Sequence, residues 1–250
     1  MRQIFITLAC GFFNNHHETV NDYRIDWQDH WPCHGTAYCV PGGPHSGFNV
    51  GSVIFQNRAE LHYLPHSGSL SFEIGIFNRF IQEVQANGTV SLGANTALKP
   101  NTWLSSNDVL VANVGIHVDT KDRIGTISQL GMLLQQSPKA PRFLYITTPT
   151  QHFPTHDGQY VNGLNGISCL NKVEENPRHR VETSELKLGV NVDELVIYDD
   201  FDLGFFHIGH GGNDSTGKLD CSHYCLPGVP DVIGAKTLFK IQEVNDRVLS

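Results

Sequence analysis

The chain has 250 residues and a mass of 27.8 kDa, enough for one sizeable domain with a hydrophobic core. Its 17 Lys and Arg against 25 Asp and Glu give a formal charge of −8. That balance argues against a nucleic-acid binder, which needs a dense basic surface to release counterions. Hydrophobic residues at 40% and charged ones at 17% exclude a disordered chain, and no apolar run approaches the roughly 20 residues of a membrane span.

Residues 1–13 (MRQIFITLACGFF) carry Ile4, Leu8 and Phe12 at helical spacing, and the segment reads as an amphipathic helix. Arg2 and the short apolar run also fit a brief signal peptide, a reading disfavoured because cleavage would remove a helix the fold needs. Residues 14–50 are rich in Asn, His, Gly and Pro and read as a long irregular insertion. Regular patterning follows: a strand over 52–56, a helix over 72–85 stopped by Asn87-Gly88, a buried strand over 108–115 and a helix over 121–136. Strands are predicted over 142–147 and 194–198, with a last helix over 232–244 beyond Pro227. Alternating strands and helices predict a single α/β domain with a mainly parallel sheet, whose ligands sit at the carboxyl ends of the strands. Each predicted strand there runs into a polar motif. Asn113, Gly115 and His117 follow the first, Thr148 to His152 the second, and a loop toward Asp220 the third.

Six cysteines, an even number, fit an oxidising compartment, with a connectivity that sequence leaves open. Zinc is the competing reading, although Cys33/Cys39 and Cys221/Cys225 have neither of the common finger spacings. Two sequons, at Asn87 and Asn213, agree weakly with secretion. His207 and His210 lack any zinc-enzyme pattern, and no Lys-Ser/Thr follows the glycines beside His210, so neither a metal site nor a phosphate loop is expected.

The sharpest motif is Asp220-Cys-Ser-His223-Tyr-Cys-Leu-Pro-Gly-Val-Pro-Asp231. Asp and His three apart fit on one turn, where the Asp220 carboxylate accepts the His223 Nδ1 proton and leaves Nε2 as a general base. Surface neighbours with this spacing are common, so the pair alone decides nothing. The whole string resembles the C-terminal signature of the PC-esterase family, which includes trichome-birefringence-like and capsule-type polysaccharide O-acetyltransferases. Residues 103–117 (WLSSNDVLVANVGIH) resemble its Asn-x-Gly-x-His block, and residues 146–153 (ITTPTQHF) its Pro-x-His-Phe block. The three blocks stand in the family's order.

The resemblance implies a three-layer SGNH-hydrolase-like domain and acyl transfer. An acetyl group forms an ester on a serine, and a sugar hydroxyl activated by His223 then takes it. Asp220 and His223 would be the catalytic pair, and Asn113 an oxyanion donor. Arg2, Gly115, His117 and His152 would surround the oxyanion or the substrate. The family's nucleophile lies in a Gly-Asp-Ser block followed by an Arg and an apolar helix with a Cys. Met1 to Cys10 resembles the tail of that block, and the chain contains neither Gly-Asp-Ser nor Gly-x-Ser-x-Gly. The expectation is therefore a chain that begins just after the nucleophile, lacks the first strand and is inactive as it stands. An exposed sheet edge and poor folding would follow. The expected partner is a glycan, with neither nucleic acid nor a membrane span in the chain, although an upstream anchor fits the family. The expected location is the secretory pathway, in the Golgi lumen or outside the cell. No cofactor or metal is expected, an acyl donor such as acetyl-CoA aside. The alternative is a non-catalytic glycan binder of the same fold. Val118 and Ile233 support it, since they replace the family's usual aromatics.

Overall fold

A computed structural model describes residues 22–23, 51–54, 60–63, 70–93, 102–113, 120–162, 164, 169–170, 173, 182, 184, 195–196, 210–213, 219–224 and 229–249. The elements in chain order begin with three short strands, β1 (Asp22–Tyr23), β2 (Gly51–Ile54) and β3 (Glu60–Tyr63). Helix α1 (Leu70–Asn87), strand β4 (Val109–Ala112), helix α2 (Thr120–Gln136) and strand β5 (Arg142–Ile146) follow. Strands β6 (Leu195–Val196), β7 (His210–Asn213) and β8 (Leu219–Tyr224) precede the last helix, α3 (Val229–Leu249). The result is a mixed α/β protein with a small parallel sheet.

That sheet has the order β4-β5-β6. Strand β5 sits between two parallel neighbours, pairing Val109 with Arg142 on one side and Tyr145 with Leu195 on the other. Four successive β5 residues, Phe143, Leu144, Tyr145 and Ile146, are almost wholly buried. Since neighbours along a strand face opposite ways, both faces of the sheet are covered. Phe143 and Tyr145 join the main core with Phe80 and Val84 of α1 and Ile124, Ile127, Leu130 and Leu134 of α2. The helical period explains this packing, because Ile124, Ile127, Leu130 and Leu134 recur every three or four residues and form one buried stripe. Each fully buried aliphatic side chain contributes about 1.5–3 kcal/mol to folding.

The helix stops are chemically explicit. Helix α1 ends where Gly88 takes φ +73°, and its N–H donates to the Val84 carbonyl at 2.8 Å. The Ser137 hydroxyl, just past α2, donates to the Gly88 carbonyl and ties the two helix ends together. Helix α3 starts at Val229-Pro230, with proline in the first turn where no N–H is missed.

Three expectations change. The segment 14–50 has the composition of an irregular insertion, yet Asp22 and Tyr23 form a strand antiparallel to Val53 and Ile54. The rest of that segment lies outside the described residues, as does the expected helix over 1–13. Strand β3 was not anticipated; it completes an antiparallel sheet in which Ser52 pairs with His62. Finally, the Asp-x-x-His segment is expected on one turn, whereas it lies in strand β8, paired with β7 with Gly212 opposite Asp220 and His210 opposite Tyr224, and the register shifts between these two pairs. The glycines and the Asn of β7 carry little strand propensity, so nothing in their pattern announces the ladder. No described helix is long and apolar enough to cross a membrane.

Candidate functional site

The carboxyl end of the parallel sheet is where the polar motifs gather. Asn113 follows β4 directly, and its Nδ2 donates to the Ile146 carbonyl at 2.7 Å and to Thr148 Oγ1 at 3.4 Å. The first bond lashes the end of β4 to the end of β5. It also occupies an amide that the sequence reading reserved for an oxyanion. Only the longer bond is weak enough to yield to a ligand.

Beyond β5 the backbone turns irregular but stays buried: Thr147, Thr148, Thr150, Gln151 and His152 are all almost inaccessible to water. Buried polar groups must find partners, and Glu182 supplies several. Its Oε1 accepts the Tyr145 hydroxyl at 2.9 Å and the Thr148 hydroxyl at 2.6 Å, and its Oε2 accepts the Thr148 N–H at 2.7 Å. The residue is 0% exposed. A side-chain carboxyl group so deep needs such donors in place of water. Sequence reasoning missed Glu182, since nothing in its neighbourhood distinguishes it from a surface glutamate.

His152 connects this rim to the Asp-x-x-His strand. Its backbone N–H donates to the Cys221 carbonyl at 2.9 Å, and its own carbonyl accepts the Leu170 N–H at 2.7 Å. Cys221 is itself disulfide-bonded to Cys169, with the two Cα atoms 5.5 Å apart. The strand that holds Asp220 and His223 is thereby joined to the segment after β5 by one backbone hydrogen bond, and by a disulfide to Cys169, whose neighbour Leu170 is itself bonded to His152. The sequence leaves the pairing of the six cysteines open, and Cys169 sits 52 residues upstream of Cys221. Cysteine spacing carries no information about such a partner.

Three of the seven proposed site residues, Arg2, Gly115 and His117, lie outside the described residues. Asn113 is bonded to Ile146 and Thr148 at the end of β5, and His152, four residues beyond Thr148, is bonded to β8, which carries Asp220 and His223. Asp220 and His223 fall in the stretch where four residues of β8 stand against two of β7, and not on one helical turn. Among the described residues, no group of three His, Cys, Asp or Glu side chains could hold a metal ion.

After Phe153 a short loop returns across the rim. The Phe153 N–H donates to the Gly158 carbonyl at 2.9 Å and the Gly158 N–H to Thr155 O at 3.3 Å. Asp157 Oδ1 accepts the Gln159 N–H at 3.2 Å and the Thr155 hydroxyl at 3.3 Å. Gly158 takes φ +71°, and a Cβ placed there would stand 2.2 Å from the Gln151 carbonyl oxygen. The backbone of the loop is therefore seated on the backbone of the rim.

Comparison of the chain with protein-family models, with curated proteins and with solved structures finds no match in any of the three. The resemblance drawn from the three sequence blocks rests on those residues alone.

Proposed function

We propose that this chain forms the base, rim and acceptor side of a serine-dependent acyl-transfer site that moves an acetyl group onto a carbohydrate hydroxyl. In the proposed step, His223 takes the proton of the sugar hydroxyl as its oxygen attacks the acetyl carbonyl of an acetyl-serine. The bond to the serine oxygen then breaks, and the same proton passes to that oxygen. Asp220 would hold the imidazole, and the rim at Asn113 would face the developing oxyanion. Water in place of the sugar turns the same step into ester hydrolysis. A three-layer SGNH-like arrangement and a place in the secretory pathway belong to this proposal.

The observation that carries it is convergence. Three blocks, separated by some 30 to 70 residues of sequence, meet at the carboxyl end of one parallel sheet. The Asn113 bond to Ile146 joins the first block to the second, and the His152 bond to Cys221 joins the second to the third. Open α/β sheets place their ligands at that end. The reading also makes two demands. A serine must come from outside the motifs present, and Asp220 must reach His223 across the register shift of β8.

The test is hydrolysis of an aryl acetate by the chain alone and by the chain joined to an N-terminal Gly-Asp-Ser segment. Turnover by the joined protein only, with a loss of at least about a thousandfold in His223→Ala and a smaller one in Asp220→Asn, is the expected result. Unchanged turnover in His223→Ala would sink the proposal. The second reading, a non-catalytic glycan binder, is favoured by the lack of any nucleophile motif in the sequence. It predicts glycan binding with no turnover in either form.

A further inference from the structure

Among the large apolar side chains that the described residues leave in water, two stand side by side on the loop after β5: Tyr160, 56% exposed, and Val161, 53% exposed. Burial would normally claim a tyrosine, since its ring is among the largest apolar surfaces a side chain offers. This one is held out on a structured support. Its ring meets Phe153 edge to face, with centroids 5.2 Å apart and planes at 67°, and Phe153 itself is buried. Its hydroxyl donates to Asn162 Oδ1 at 3.3 Å. Behind it, the Thr155–Asp157–Gln159 hydrogen bonds and the wedge at Gly158 fix the loop against Gln151.

The ring is thus oriented before any ligand arrives, so docking onto it costs little ordering entropy. Phe153 directly follows His152, which is bonded to β8, so the ring stands at the border of the convergent rim. Polar residues share its loop: Asn162 and His156 are exposed and Gln159, the residue before it, is half-buried. An exposed aromatic face, negative at its centre, attracts the weakly positive C–H face of a sugar ring. The amides of Asn162, which already accepts the ring hydroxyl, and of the adjacent Gln159 can exchange hydrogen bonds with the hydroxyls of a sugar. A protein-sized partner would ask for a wider apolar patch than these two residues supply.

We infer that Tyr160 is a stacking platform for a pyranose unit of the glycan chain, flanked by Asn162 and Gln159 as hydroxyl contacts. The inference deepens the carbohydrate reading above and rests on it for the class of ligand, while making no use of the acyl chemistry.

The experiment is titration of the 250-residue chain with xylohexaose, cellohexaose and chitohexaose, followed by intrinsic fluorescence and calorimetry. At least one of the three is expected to bind. Tyr160→Ala and Tyr160→Leu should each weaken that binding about tenfold or more, the latter because it keeps apolar bulk but removes the π face. Tyr160→Phe should stay within about threefold, which shows that the ring and not a folding defect is being read. The proposal is overturned if the wild-type chain binds none of the three sugars, or if Tyr160→Leu binds as the wild type does. Aryl-acetate hydrolysis separates the two proposals, because that ester contains no sugar. Tyr160-dependent binding without turnover supports the platform and removes only the acyl transfer. Turnover with Tyr160-independent binding removes only the platform.

Discussion

The β4-α2-β5 unit and the rim built on its carboxyl end hold together by different means. In the unit, stability comes from apolar side chains at regular spacing, with Ile124, Ile127, Leu130, Phe143 and Leu144 all but closed to water. In the rim, equally buried residues are threonines, Gln151, His152 and Glu182, joined by side-chain bonds, one disulfide and one glycine wedge. The first kind of order tolerates change in proportion to the volume removed. The second depends on single atoms, since a buried donor left without its acceptor loses the full worth of its hydration.

The sharpest way to break this comparison is Glu182→Ala. It strips the acceptor from the Tyr145 hydroxyl and from both Thr148 donors, so a loss of about 3–5 kcal/mol is expected in urea unfolding. Glu182→Gln, of the same shape, should cost less than half of that. In the core, Leu130→Ala should cost about 2–5 kcal/mol and lower the unfolding midpoint with no change in slope, as expected for a cavity. Opening the Cys169–Cys221 link with Cys169→Ser frees a 52-residue loop. A loss of about 2–4 kcal/mol follows from the entropy returned to the unfolded chain. Gly158→Ala must push a methyl group against the Gln151 carbonyl and Val173. About 2 kcal/mol is expected, and glycan binding should fall with it as the Tyr160 loop lifts. The smallest effect belongs to Asn113→Ala, about 1 kcal/mol for the bond to Ile146. A cost near zero there would mean that the ends of β4 and β5 need no lashing.

The same difference decides what could be read without coordinates. The helix over 121–136 and the strand over 142–147 were placed to within a residue, because hydrophobic periodicity responds to burial and burial dominates there. The stop at Asn87-Gly88 was equally plain, since only a residue at ease with positive φ ends a helix so sharply. The last helix was found, although it extends beyond its expected bounds at both ends. The hairpin of β7 and β8 was not legible. Its strands pair through backbone atoms, while their side chains, a histidine, glycines and an asparagine opposite a polar run, suggest loops. Nor was Glu182 legible, because its role arises from contact with residues 34 and 37 positions away. The polar ends of β4 and β5 were visible as motifs, and the structure adds the bonds that join them.

Amide NMR of the isotopically labelled 250-residue chain, titrated with the hexasaccharide that binds best, tests the central claim most directly. If the carboxyl end of the sheet is the ligand site, the largest shifts will fall on Asn113, His152, the loop through Tyr160 and the Cys221 strand. The core amides of α1 and α2 should stay in place. Shifts confined to β2 and β3 or to α3, with the rim silent, would contradict the account and move the functional site elsewhere on the molecule.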